Sequence, residues 1–483
     1  LIAEIFQSAW HEHSAEEERE VADTTSSFEL EYLASRGQAQ DHAHVRLRRR
    51  KANRPHAIEA AVLEDGEWRE VPIGSAEIRP LLPSVVVGYT SGDNETLSLP
   101  FFVSRSGYSE DVREAALPGG RKETVPDNRL LLIDYSTHLE VLVANLLLAD
   151  NKLRQAIIEH ANLDRLASFR CIVQLAHLPR LKVVGRGKSG RKGVQLTNEL
   201  ERYISALKGA STCWQIDETR ERYIFDFLVT DETRKIFALH FENTFNLYKA
   251  FHKFALLNDL AIPKEARRRL QREIETRRFA SRLPEPQDEE KIFRFEQVRF
   301  FREHENSIED SLDYVSLSDG EHQQAEILGV FAMVLQNNAL FILDEPESHF
   351  NPRWRVEFVK RVTQLPVGVS RQQEVLITSH APFVPSDLSR EQVHVFSKSE
   401  AGRVQVELPT IETYGATFDK ILDHCFGVRP PISQLARDEI KRLMESGTSE
   451  ELRFAVRTMG ASYEKAFLAD RLRELEMAGE QRD

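Results

Sequence analysis

The chain has little cysteine. Cys171, Cys213 and Cys425 are its only thiols, odd in number and far apart in sequence. This spacing excludes a disulfide framework or a Cys-rich metal module and reads as reduced thiols of a cytoplasmic protein. No run approaches the roughly 18 apolar residues needed to span a bilayer. The opening "LIAEIFQSAW" has neither a basic leader nor a small-residue cleavage site, and does not read as a signal peptide. Positive charge is not in excess either: 64 Lys and Arg stand against 77 Asp and Glu, a net charge of −13. Any contact with nucleic acid must therefore come from local clusters. These are "RLRRRKANR" (Arg46 to Arg54), "RLKVVGRGKSGRK" (Arg180 to Lys192) and "KEARRRLQREIETRR" (Lys264 to Arg278). There is no internal repeat and no long low-complexity segment.

What is present is ordinary globular material, 41% hydrophobic and 29% charged over 483 residues, long enough for more than one lobe. Leu1, Ile2, Ile5, Phe6, Ala9 and Trp10 share one face at helical spacing. Alternating strand-like runs follow, with Asp65-Gly66 as a hairpin signal, and Val85-Val86-Val87 closes what reads as an antiparallel layer. From Tyr135 to Arg282 the pattern is mainly helical, broken by the Gly-rich basic stretch 185–193 and ended by "LPEPQDEE". An α/β half resumes near Phe293, and the tail from Thr413 is helical. The expected divisions are 1–134, 135–290, 291–412 and 413–483.

One stretch, "ALFILDEPESHFNP" (Ala339 to Pro352), drives the apolar strand Leu340-Phe341-Ile342-Leu343 straight into Asp344 and Glu345. An unpaired buried carboxylate costs several kcal/mol, so these acids must meet a cation or lie at an open strand end. Nucleotide hydrolysis asks for such an end. Asp344 would hold Mg²⁺ and Glu345 would orient or deprotonate the attacking water. Some twenty residues earlier, "YVSLSDGEHQ" places Ser318 and Gly320 at the mouth of a helix, a natural phosphate site. Later, "EVLITSHAP" ends a strand at Thr378, Ser379 and His380, where His380 would reach the γ-phosphate. Taken singly, each has a plainer reading: an N-cap for the acids, a structural histidine for His380. Their order together favours nucleotide chemistry.

Leu317-Ser318-Asp319-Gly320-Glu321 resembles the ABC signature motif, and Leu340 to Glu345 resembles a Walker B strand with its catalytic glutamate. Glu347 to Pro352 is similar to the D-loop of SMC/RecF-like ATPases, with Asn351 where that group often has histidine, and His380 matches the switch histidine. The resemblance implies an ABC-type ATPase head, α/β with an antiparallel layer, a helical insertion and a helical tail. It also implies ATP and Mg²⁺ as cofactors. Ser318, Asp319, Gly320, Glu321 and Asp344 would bind ATP, with Asp344 on the metal and Glu345 and His380 catalytic. No stretch reads G-x-x-x-x-G-K-[ST]; "GRGKS" (Gly185 to Ser189) has Lys182 at the first glycine position and no helix behind it. The expectation is a P-loop upstream of Leu1, flowing into the first helix; the alternative is a degenerate, non-hydrolysing ATPase. A clear Q-loop glutamine is missing from Tyr89 to Glu95.

"VVVGYTSGDNETLSLPFF", "LLLIDYSTHLEVLVANLLL" and "YGATFDKILDHCFGVRPPISQLA" resemble the Septu- and retron-associated ATPases of bacterial anti-phage defence. That resemblance implies a homodimer or larger assembly, a separate HNH-type nuclease partner, and contact with DNA or RNA such as retron msDNA. The runner-up is a RecF- or SMC-like DNA-repair ATPase. A fused nuclease of the overcoming-lysogenization kind is weaker, since no glutamate with a paired-aspartate strand follows His380. Candidate contacts to nucleic acid or an anionic partner are Arg46, Arg48, Arg49, Arg50 and Lys51, together with Arg180, Lys182, Arg186, Lys188, Arg191 and Lys192. The first group equally suits a protected strand edge. Lys264 to Arg278 interleaves acids and reads as a solvated helix, while His322 and His349 read as loop-shaping residues.

Overall fold

The computed structural model describes every residue except 14–25, 37–40, 53–57, 73, 91–94, 117–124, 134–136, 177–193, 219–220, 276–285, 303–306, 308–309, 366–371 and 481–483. The chain forms two compact units, Leu1–Ser379 and His380–Asp483.

In the first unit the helix Ile2–His13 leads into an antiparallel sheet of β1 (Phe28–Ser35), β2 (His42–Arg49), β3 (Ile58–Glu64) and β4 (Glu67–Val71), ordered as in sequence. Asp65 and Gly66 both take positive φ, +49° and +85°, as the tight turn between β3 and β4 requires. The chain then enters a parallel sheet with β5 (Val85–Thr90) and β6 (Leu130–Ile133). It leaves for an antiparallel sheet built from β7 (Arg165–Gln174), β8 (Cys213–Asp217), β9 (Arg222–Leu228), β10 (Phe293–Phe301) and β11 (Leu312–Asp313). It returns to the parallel sheet with β12 (Ala339–Asp344) and β13 (Gln373–Thr378), giving the order β13-β12-β5-β6.

Two expectations change. Val85 to Val87 lie in β5, which runs parallel to β12 and β6 rather than closing the antiparallel layer. The stretch expected to be mainly helical carries helices His138–Leu148, Asn198–Ala210, Asp231–Phe241 and Thr244–Leu256, but also strands β7, β8 and β9. Tyr223, Phe225 and Phe227 are buried at every second position of β9, so its period is two, and tertiary pairing with β7 decides the segment.

The first helix is buried on more than the expected face. Ile5, Phe6, Ala9 and Trp10 share one core with Val45, Leu47 and Val62 of the antiparallel sheet and Val86, Leu130 and Leu340 of the parallel sheet. A helix enclosed by two sheets buries polar positions as well, here Gln7, Ser8, Glu12 and His13. "HLEVLVANLLL" is apolar nearly all round and forms the buried helix His138–Leu148. That helix touches helix Asp319–Met333 on one side and helices Asp231–Phe241 and Thr244–Leu256 on another. Fully buried Asn145 locks the first contact, its Nδ2 donating to the Gly329 carbonyl at 2.9 Å and to the Val141 carbonyl at 2.8 Å.

The second unit contains the hairpin β14 (Val395–Lys398) and β15 (Val404–Glu407), and helices Phe418–Phe426, Gln434–Ser446, Ser449–Thr458 and Tyr463–Glu480. Leu443, Leu452, Ala455 and Leu468 make its helical core. No described helix is long and apolar enough to cross a membrane.

Candidate functional site

Strands β5, β12 and β13 are parallel and in register, so Thr90, Asp344 and Thr378 end them side by side. This is the carboxyl edge of an open α/β sheet, where such sheets bind ligands. Thr378 Oγ1 donates to Asp344 Oδ1 at 2.5 Å. The Glu345 N–H donates to the Thr378 carbonyl at 3.1 Å, which carries the pairing one residue past the strand. Glu345 then turns sharply, at φ +46°, a left-handed conformation costing a non-glycine residue about 1–2 kcal/mol. Both acids are half-buried. The apolar strand thus delivers its carboxylates to an open edge.

The turn that follows is fixed by several bonds. Ser348 N donates to the Glu345 carbonyl and Phe350 N to the Glu347 carbonyl, each at 3.1 Å. Arg355 donates to the Ser348 carbonyl at 2.8 Å and the Phe350 carbonyl at 2.9 Å. Asn351 caps the next helix, Pro352–Thr363, accepting from Trp354 N at 3.1 Å. Glu347 is buried, and its Oε1 accepts from the Ser379 hydroxyl. Burial holds its carboxyl above the usual carboxylate range, with the Ser379 hydrogen bond working in the opposite direction.

Ser318 is the N-cap of helix Asp319–Met333. Glu321 Oε2 accepts from both Ser318 N and Ser318 Oγ at 2.8 Å. Such a capping box keeps the first turn in place. Ser318 and Asp319 are exposed, and Gly320 and Glu321 half-buried, so the start of the helix is accessible, with the Ser318 N–H and hydroxyl both taken by Glu321. A Cβ on Gly320 would lie 2.9 Å from the His349 carbonyl oxygen, so the helix start abuts the turn after the acids. His349 N donates to Gln323 Oε1 at 3.3 Å across the same junction. His322 bonds the Tyr314 carbonyl at 2.8 Å and stacks on the Tyr314 ring. His160 Nε2 meets the Glu321 carbonyl at 3.0 Å, and burial pushes its pKa down to about 4.

Residues 210–387 match a family model described as "AAA domain, putative AbiEii toxin, Type IV TA system". They carry an ABC-like AAA domain, of the P-loop ATPase kind. No curated protein matches the chain. The matched AAA segment contains Ser318, Asp319, Gly320, Glu321, Asp344, Glu345 and His380.

The structure brings Asp344, Glu345 and Thr378 together at one edge, and Gly320 against the turn that follows. His380 opens the second unit and is exposed. Thr378 and Glu347 were not among the expected site residues. Their signal was faint: Thr378 meets Asp344 only once the parallel register is known, and Glu347, though it opens the D-loop-like stretch, has nothing local to mark its bond with Ser379.

One residue of the basic strand, Arg49, is a correction. Arg49 is buried, 3.6 Å from Glu12 and bonded to the Ser26 carbonyl, so it cannot touch an outside partner. Arg46 stacks over Trp68 at 4.1 Å, Arg48 pairs with Glu29 at 3.2 Å, and Arg50 with Glu59 at 3.1 Å. Lys51 is exposed just beyond β2. Nor is β2 an edge strand, since β1 and β3 flank it. Arg180, Lys182, Arg186, Lys188, Arg191 and Lys192, and most of the Tyr89 to Glu95 turn, lie outside the described residues.

Proposed function

We propose that this chain is the ATP-binding and ATP-hydrolysing switch subunit of a bacterial defence complex that controls a partner nuclease. The observation carrying the ATPase part is the end of β12: Asp344 at the carboxyl edge, oriented by Thr378, with Glu345 turned out behind it. A carboxylate beside a hydroxyl is a hard oxygen set that suits Mg²⁺. Asp344 would hold the ion, which when bound with ATP offsets phosphate charge. Glu345 would take up the proton of the attacking water or orient that water. The helix start at Ser318 and Gly320 would face the phosphates of a nucleotide held by a second copy, Ser318 exchanging its bond to Glu321 for the phosphate, and His380 would serve that terminal phosphate.

This reading needs a phosphate-binding loop. Among the described strands β13 ends its sheet, and its Val375, Leu376 and Ile377 are only half-buried, which suits an added parallel strand running through such a loop into helix Ile2–His13. Nuclease control and the defence setting rest on the sequence resemblance and on the toxin–antitoxin label of the matched family. A DNA-binding repair role loses Arg49 as a contact, because it is buried, while Arg46, Arg48 and Arg50 carry only surface pairings that a phosphate could exchange.

The test is Glu345→Gln in the full-length protein. Expected are ATP turnover reduced at least about 100-fold, ATP binding within about threefold of wild type, and a larger solution mass with ATP and Mg²⁺. Unchanged turnover would remove Glu345 from the chemistry, and an ATP-independent monomer would remove the two-copy site.

A further inference from the structure

Glu347 is costly to keep where it is. Its side chain is 2% exposed, its Oε1 takes the Ser379 hydroxyl, and its Oε2 has no hydrogen bond from any other described residue. A buried carboxylate with an unsatisfied oxygen weakens a fold, and a neutral side chain of the same shape would serve stability as well or better. The turn does not need it for shape. Arg355, Asn351 and the backbone bonds of Ser348 and Phe350 already fix that loop. What Glu347 adds is a link across strands, from the turn after Asp344 and Glu345 to the residue after β13.

Ser379 follows Thr378, which orients Asp344, and precedes His380. We infer that Glu347 is a positioning residue: by accepting from Ser379 it ties the acidic turn to the end of β13, so that Asp344, Glu345 and Thr378 keep one arrangement. The inference rests on the ATPase reading for its kinetic consequence, but the tether itself is independent of it. Glu347 touches no reacting atom; it acts through Ser379.

The experiment compares Glu347→Gln, Glu347→Met, Ser379→Ala and the Met/Ala double variant in the full-length protein. Glutamine keeps an acceptor for Ser379, whereas methionine fills the same space without one. Expected for Glu347→Met and Ser379→Ala is a kcat about tenfold lower with KM for ATP within about threefold, while the double variant is no worse than either single. Glu347→Gln should stay within about threefold of wild type, and its thermal midpoint should equal or exceed it. In the nucleotide-free protein, amide exchange over residues 373–382 should quicken in the Met and Ala variants and not in the Gln variant.

Wild-type turnover and exchange in Glu347→Met would overturn the proposal. So would losses that multiply in the double variant, or a Gln variant as impaired as Met. If the wild-type protein neither binds nor hydrolyses ATP, the ATPase reading fails, and the exchange comparison alone decides the tether.

Discussion

Thr378 Oγ1 donates to Asp344 Oδ1 at 2.5 Å, joining the ends of two neighbouring parallel strands. A hydroxyl in this place selects one orientation of the carboxylate and loads one of its oxygens. Partners of this outer kind commonly govern metal affinity by 10–100-fold. For Thr378→Val, which keeps the shape and removes the donor, the Mg²⁺ concentration at half-maximal ATP turnover should rise about tenfold. A magnesium titration of turnover checks this, and an unchanged midpoint would leave the bond with a purely structural part.

Gly320 marks the contact between the Ser318 turn and the turn after the acids. Alanine ordinarily favours a helix over glycine by about 1 kcal/mol, but here its Cβ meets the His349 carbonyl at 2.9 Å. Backbone must yield, so Gly320→Ala should destabilise by about 1–3 kcal/mol in denaturant unfolding. Gly209→Ala is the control. Its nearest neighbour is the side chain of His240 at 3.7 Å, and the change should be neutral or stabilising.

Arg49 is a core residue. Its guanidinium lies 3.6 Å from Glu12, whose other oxygen accepts from Ile58 N at 2.8 Å. Removing the cation strands a buried carboxylate, so Arg49→Met should cost about 3–5 kcal/mol. Arg50→Met, at an exposed pair, should cost less than about 1 kcal/mol. Equal losses for the two would show that burial does not set the difference.

Buried His252, stacked on Tyr248, has its pKa pushed down to about 3 by desolvation, with Arg105 adding to the shift. Its unfolded value is near 6.5. Below that value the unfolded chain takes a proton that the folded chain refuses. This contribution to stability is therefore complete above pH 6.5 and is lost as pH falls toward about 3. His160, pushed to about 4, acts in the same direction. Unfolding free energies across pH 7 to 4 should fall less steeply in His252→Phe than in wild type. Parallel curves would assign the acid sensitivity elsewhere.

Much of the acidic site was legible because it is local. The run Leu340 to Leu343 ending in Asp344 announces a buried strand with a polar tip, and Ser318 followed by Glu321 is a capping box in sequence. Asp65-Gly66 named its hairpin for the same reason. What could not be read was pairing across distance. Val85 to Val87 are as apolar as any strand, and nothing local says that they lie parallel beside β12. Arg49 looks like one more member of a basic ribbon until Glu12 arrives from the first helix to bury it. Strands β7 to β9 sit among strong helical segments, whose period hides the alternation of Tyr223, Phe225 and Phe227.

The clamp between Asn145 and Gly329 limits how the helix beginning at Asp319 can move. One amide grips backbone carbonyls on both helices, and a Cβ at Gly329 would already be 2.9 Å from Val141 Cγ1. Rolling this helix about its long axis would break that buried hydrogen bond. A displacement at Ser318 would therefore be shared with helix His138–Leu148, which also touches helices Asp231–Phe241 and Thr244–Leu256.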